Sequence, residues 1–180
     1  MSPKSNKKYL IIDGFNVLRH GQYYQDQRDR MPDYGDEHIN AAREALIDDA
    51  RIFAGHDYRV LVVFDGGGNR FSEGQPTFSD RVEVIFSEYG LSADSVIEQR
   101  VHKAVEDGYE VLVVTSDATM QWTVLGDKVT RMATSSFYSE VASLKSDVKP
   151  SSEAEPGKSH MTLGDRLNPE KLKRLKDLLK

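Results

Sequence analysis

Residues 9–16 read Tyr9-Leu10-Ile11-Ile12-Asp13-Gly14-Phe15-Asn16. A short apolar run that ends in an acidic residue and a glycine suits a central parallel strand covered on both faces. Asp13 then stands where the strand leaves the sheet, and in open α/β sheets ligands bind at that carboxyl-terminal edge. The pattern returns twice. Arg59-Val60-Leu61-Val62-Val63-Phe64 stops at Asp65, and Glu110-Val111-Leu112-Val113-Val114-Thr115-Ser116 stops at Asp117. Helical periodicity fills the intervals. Ile39 to Ala54 carries Ala42, Leu46, Ala50 and Phe53 on one face, with Gly55 as a stop. Ser92 can cap a helix through Asp107 that turns Ile97, Val101, Ala104 and Val105 inward. Alternating strands and helices predict parallel βαβ units in a three-layer αβα sandwich.

Working outward, Arg81-Val82-Glu83-Val84-Ile85-Phe86 reads as a further strand, short or at an edge. A helix holding Gln121, Trp122 and Val124 is expected after Asp117, then a short strand over Lys128–Met132 and a helix over Ser135–Leu144. Met1 to Lys8 reads as a flexible tail. Val17 to Glu37 is polar, broken by Pro32 and Gly35, and reads as a long loop. Its Arg19, His20, Tyr23, Tyr24, Arg28, Arg30 and Tyr34 suit either a nucleic-acid contact or a solvated loop with tyrosines tucked onto the core. From Lys145 to His160 the composition shifts to Ser, Pro, Glu, Lys and Gly, as in a linker. Beyond it, Asn168 and Pro169 open a helix with a leucine stripe among lysines, which would dock on its own domain or on an anionic partner. The expected organisation is a tail over 1–8, a domain over 9–145, a linker over 146–167 and a basic amphipathic helix over 168–180.

At 180 residues the chain is long enough for one domain with a substantial core. The absence of cysteine excludes disulfides, thiolate catalysis and cysteine-based zinc sites. Nothing approaches the roughly 18 apolar residues of a membrane span, and the polar N-terminus lacks a signal-peptide h-region, so a cytoplasmic protein with no membrane partner is expected. A net charge of −5 argues against a general nucleic-acid coating protein but not against an enzyme built around carboxylates.

Any single Asp after a strand commonly caps the next helix or starts a turn. Three of them on one sheet edge repel one another unless a cation compensates. Asp94, in the first turn of its helix and near the inward-facing Ile97, is a fourth candidate; its alternative role is to stabilise the helix N-terminus. Oxygen-only donors, with the five histidines scattered, point to Mg²⁺ or Mn²⁺ rather than zinc. A multi-carboxylate Mg²⁺ site is the arrangement used for phosphodiester hydrolysis, where no Ser, Cys or His nucleophile is needed.

In order, Ile12-Asp13-Gly14-Phe15-Asn16, Val63-Phe64-Asp65, Arg81-Val82-Glu83-Val84-Ile85-Phe86, Ser92-Ala93-Asp94-Ser95-Val96-Ile97-Glu98 and Val114-Thr115-Ser116-Asp117 resemble the YacP-like branch of the NYN domains, relatives of PIN-domain nucleases. The resemblance spans roughly residues 9 to 145. It implies a PIN-like fold and a metal-dependent endoribonuclease acting on single-stranded RNA in mRNA turnover, with some members acting in association with ribosomes. Asp13, Asp94 and Asp117 match the acidic metal site, and Asp65 matches an acidic position beside it. Asn16 would orient a ligand or hold the turn. Arg81 and Glu83 match a family strand, as an ion pair or as substrate contacts. Thr115, Ser116 and Trp122 match the surroundings of the last aspartate. Asn16, Arg19, Arg70, Arg81 and Ser116 are carried forward as substrate-binding candidates.

The rival to a nuclease is a non-catalytic RNA- or ribosome-binding module on the same fold. A haloacid-dehalogenase-type phosphatase would want a second Asp where Phe15 stands, and dinucleotide binding lacks a Gly-x-Gly-x-x-Gly after the first strand.

Overall fold

The computed structural model describes residues 7–29, 37–66, 73–117 and 127–148. Its elements, in chain order, are β1 (Lys8–Asp13), α1 (Gly14–His20), α2 (Gln22–Asp29), α3 (Glu37–Ala54), β2 (Tyr58–Phe64), β3 (Thr77–Ser79), β4 (Val82–Phe86), α4 (Ala93–Glu106), β5 (Glu110–Val114), β6 (Val129–Met132) and α5 (Thr134–Val148). The strands form one six-stranded sheet in the order β3-β4-β2-β1-β5-β6. Every pairing is parallel except β3 with β4. β1 is therefore central, as its unbroken apolar run requires.

Alternation along each strand sends side chains to two separate cores. Leu10, Ile12, Val60, Val62, Phe64, Val82 and Val84 pack with Val17, Tyr24, Leu46, Ala50, Phe137 and Val141 from α1, α2, α3 and α5. Tyr9, Ile11, Leu61, Val63, Ile85, Val111 and Val113 pack with Ala93, Ile97, Val101 and Ala104 of α4. This is the three-layer αβα sandwich expected. Burying each large aliphatic side chain favours it by about 1.5–3 kcal/mol. Among the described residues no helix is long and apolar enough to cross a membrane.

Four expectations change. The segment after Val17 is not a long loop but continues α1 and then forms α2. Val17 and Tyr24 are buried and hold both helices down, whereas Arg19, His20, Gln22 and Asp26 are exposed; the side chain of Arg28, and Arg30 and Tyr34, lie outside what the structure describes. Tyr24 donates from its hydroxyl to Asp49 on α3 at 2.7 Å, and Tyr23 stacks on Tyr138 of α5, so these tyrosines belong to the core. The strand containing Glu83 lies inside the sheet, because β3 covers its outer side. The third change concerns Glu83, which pairs with Arg59 at 2.9 Å and Arg100 at 3.4 Å rather than with Arg81. Finally, α5 runs to Val148, past the expected domain end at residue 145. The helix expected around Trp122, Arg70 in the stretch after Asp65, and the basic helix over 168–180 lie outside the described residues.

Candidate active site

The carboxyl edge of the parallel strands is built outward from Asp13. Asp13 closes β1 and caps α1, with Oδ1 accepting the Asn16 backbone N–H at 3.1 Å. Gly14 follows because nothing larger fits: a Cβ there would lie 2.4 Å from the Phe64 ring. That close approach draws the end of β1 against the end of β2, where Asp65 follows Phe64. Across the sheet, the Thr115 hydroxyl donates to Asp13 Oδ2 at 3.4 Å and accepts the Asp117 backbone N–H at 3.1 Å. One hydroxyl thus links the first and last strand-end aspartates.

Asn16 ties the same region together. Its Oδ1 accepts the Ser116 backbone N–H at 2.8 Å and the Thr134 hydroxyl at 3.4 Å, and the Ser116 hydroxyl accepts the Thr134 backbone N–H at 3.2 Å. Of the two roles open to Asn16, holding the turn is the one its carbonyl performs. On the other flank, Ser92 caps α4 by accepting the Ser95 N–H at 3.2 Å, which sets Asp94 in the first turn. The Asp65 loop is fixed by Ser87, whose hydroxyl accepts the Gly66 N–H at 2.9 Å.

The result is a cavity of about 390 Å³ lined by Asp13, Asp65, Asp94, Asn16, Arg19 and His20, with Phe15, Ser92 and Ala93. Asp13 is buried, only 6% exposed, whereas Asp94 is exposed. Burial pushes the Asp13 carboxyl above the ordinary carboxylate range; the Asn16 N–H and Thr115 hydroxyl oppose this, and the charges of Asp94 and Asp117 add to it. Asp94 is also raised, first by burial and then by Asp117 and Asp65. Each of the four candidate aspartates is therefore within electrostatic reach of another. An oxygen-only donor set under mutual repulsion fits a hard divalent cation in chemistry. It is not preassembled as a closed ligand shell: among the described residues no group of three or more His, Asp or Glu is arranged to hold a metal ion.

The substrate-binding candidates divide. Asn16 and Arg19 line the cavity, and Ser116 joins the Asn16 network beside it. Arg81 does not reach it. It precedes β4, so it sits at the amino edge of the parallel sheet, where its guanidinium meets His56 Nδ1 at 2.8 Å. Arg70 lies outside the described residues.

Sequence reasoning missed Ser87, Thr134, Arg131 and Arg43 here. Arg131, near the end of β6 toward the same edge, donates to the Thr115 carbonyl at 3.4 Å. Arg43 on α3 lies over the rings of Phe15, Phe64 and Phe86, with centroids 5.6, 5.5 and 5.2 Å away. Strand-end position was the available signal for Arg131. Nothing local marked Ser87 or Arg43, whose partners are distant in the chain.

With this geometry in hand, three comparisons align. The family model for the YacP-like NYN domain matches residues 10–180. The match continues past residue 145, through the part read as linker and basic helix. The Bacillus subtilis protein YacP is 29% identical over 137 residues, 76% of each chain. Two crystal structures of Rae1 (YacP) from Bacillus subtilis, the first of a point mutant, superpose with TM-scores of 0.60 and 0.58 at 26% and 25% identity; in both, 78% of this chain covers 77% of the other.

Proposed function

The chain belongs to the YacP-like NYN domain family, and from that premise we propose that it is a metal-dependent endoribonuclease hydrolysing phosphodiester bonds of single-stranded RNA. The observation that carries the proposal is Asp13. It is a buried carboxylate at the central strand's end, fixed by the Asn16 N–H and the Thr115 hydroxyl, and facing a cavity that it shares with Asp65 and Asp94. A fold has no structural use for that repulsion, and a cation relieves it.

Asp13, Asp94 and Asp117 are the residues that would hold Mg²⁺ or Mn²⁺, with Asp65 beside them. When bound, the cation supplies Lewis-acid activation of water and neutralises charge building on the phosphate. The chain's own residues supply position. Asn16 fixes the Asp117 loop relative to Asp13, and Thr115 fixes the Asp13 carboxylate. Arg19, on the cavity wall, offers a planar cation to a substrate phosphate. Messenger RNA is the proposed natural substrate and the ribosome the proposed place of presentation.

The test is cleavage of single-stranded RNA of mixed sequence with Mg²⁺, with Mn²⁺ and with a chelator, repeated on translating ribosomes. Internal cleavage that needs the ion supports the proposal. Metal-independent RNA binding with no cleavage of free or ribosome-bound RNA would contradict it. That outcome belongs to the rival reading, a non-catalytic RNA-binding module on the same fold.

A further inference from the structure

Between β4 and α4 the chain makes a tight turn that the proposed chemistry does not use. The Leu91 N–H donates to the Glu88 carbonyl at 2.9 Å, and Gly90 takes φ +87° at the third position. That hydrogen bond with a left-handed third residue matches a type II turn. The second residue is Tyr89, and it is 52% exposed; Leu91 is 42% exposed. Both are large and apolar, and neither is among the residues of either core.

The turn is rooted on both sides in the candidate active site. Before it, the Ser87 N–H donates to the Phe64 carbonyl at 2.8 Å, and the Ser87 hydroxyl accepts the Gly66 N–H at 2.9 Å, so the turn's base is stitched across Asp65. After it come Ser92, Ala93 and Asp94, which line the acidic cavity. Phe78, the more exposed aromatic at 68%, lies instead on the outer strand β3, away from these anchors.

We propose that Tyr89 is a stacking platform for a nucleobase of single-stranded RNA whose backbone lies along the carboxylate cavity; the proposal rests on the RNA reading above. The hydrogen-bonded turn fixes the backbone that carries the ring, so a base lying on it need order only the two side-chain torsions of a tyrosine. Stacking of this kind tolerates any base, since each has a π-face, and it requires the base to be unpaired. Tyr89 would therefore select single strands over duplexes without selecting sequence. The rim is acidic, so a flat apolar contact adds affinity there without adding charge.

The experiment measures binding of a single-stranded RNA oligonucleotide to the full chain in chelator, where metal-dependent cleavage is off. Wild type, Tyr89→Phe and Tyr89→Ala are compared, each with a normal oligonucleotide and with one lacking bases. Alanine should weaken binding roughly 5- to 150-fold, the equivalent of about 1–3 kcal/mol per stacked base. Phenylalanine should bind as wild type, and the baseless oligonucleotide should bind all three proteins alike. Equal affinity of wild type and Tyr89→Ala for normal RNA would overturn the platform while leaving the nuclease proposal standing. No binding by wild type, free or with a non-cleaving metal such as Ca²⁺, would overturn the RNA reading and the platform with it.

Discussion

Asn16 Oδ1 accepts the backbone N–H of Ser116 at 2.8 Å, joining the end of β1 to the end of β5 across 100 residues of sequence. The bond sets the separation of the loops that carry Asp13 and Asp117. Asn16→Ala removes the acceptor for both Ser116 and the Thr134 hydroxyl. Ser116 is exposed, so water can replace part of what is lost, and each bond is worth about 0.5–1.5 kcal/mol. Denaturant unfolding should show that loss, and RNA cleavage should fall by more than the unfolded fraction explains.

Gly14→Ala should destabilise the fold by about 1–3 kcal/mol through overpacking, because the new Cβ meets the Phe64 ring at 2.4 Å. Cleavage should drop as well, since Asp13 is the adjacent residue. Thermal unfolding of the single variant and of the Gly14→Ala/Phe64→Leu pair checks the cause. A ring clash predicts that the two changes are non-additive, with the smaller side chain recovering part of the loss.

The raised pKa of Asp13 fixes the sign of a pH effect. Between the ordinary value of 3.8 and its raised folded value, the folded protein binds more protons at this group than the unfolded chain does. Stability from this group therefore falls as pH rises through that window and stays reduced above it. Without metal, Asp13→Asn should remove this dependence and melt higher than wild type near neutral pH, while cleaving no RNA. Melting curves across acidic to neutral pH with chelator present test both halves.

Glu83 separates scaffold from chemistry. It is buried, 3% exposed, and pairs with Arg59 and Arg100 far from the cavity. Glu83→Ala removes the acceptor of two arginines that are themselves partly exposed, at 51% and 32%, and so still reach water. The loss should be about 1–3 kcal/mol, the range for charged hydrogen bonds. The folded fraction should still cleave RNA, as activity normalised to native protein would show.

Arg19 and Arg81 make a matched pair of tests. Arg19 lines the acidic cavity and Arg81 meets His56 at the opposite edge. Arg19→Ala should raise KM for RNA, and Arg81→Ala should leave it where it was. Steady-state cleavage of one oligonucleotide by both variants reads the difference.

What could be read from the chain follows from which signals are local. β1, β2 and β5 are buried on both faces, so each appears as a continuous apolar run, and their parallel arrangement puts Asp13, Asp65 and Asp117 on one edge. β3 left no such trace because all its residues are exposed. α1 and α2 were hidden because, among the described residues, Val17 and Tyr24 are the fully buried large side chains of a polar stretch, too few to show a helical period. Ser87, Thr134 and Arg43 act through partners brought near by folding, which no local pattern encodes. The misplacement of Arg81 had a remedy in the same logic: a residue that precedes a strand parallel to β1 lies at the amino edge, away from the aspartates.

The most direct measurement is cleavage of single-stranded RNA with Mn²⁺ by wild type and by Asp94→Asn, an exposed substitution that should leave the fold intact. Internal cleavage is expected from wild type, with loss of at least most of it in the variant. The variant should melt no lower than wild type in the absence of metal, because burial and neighbouring carboxylates already disfavour the Asp94 charge. Equal cleavage by both proteins would contradict the assigned site.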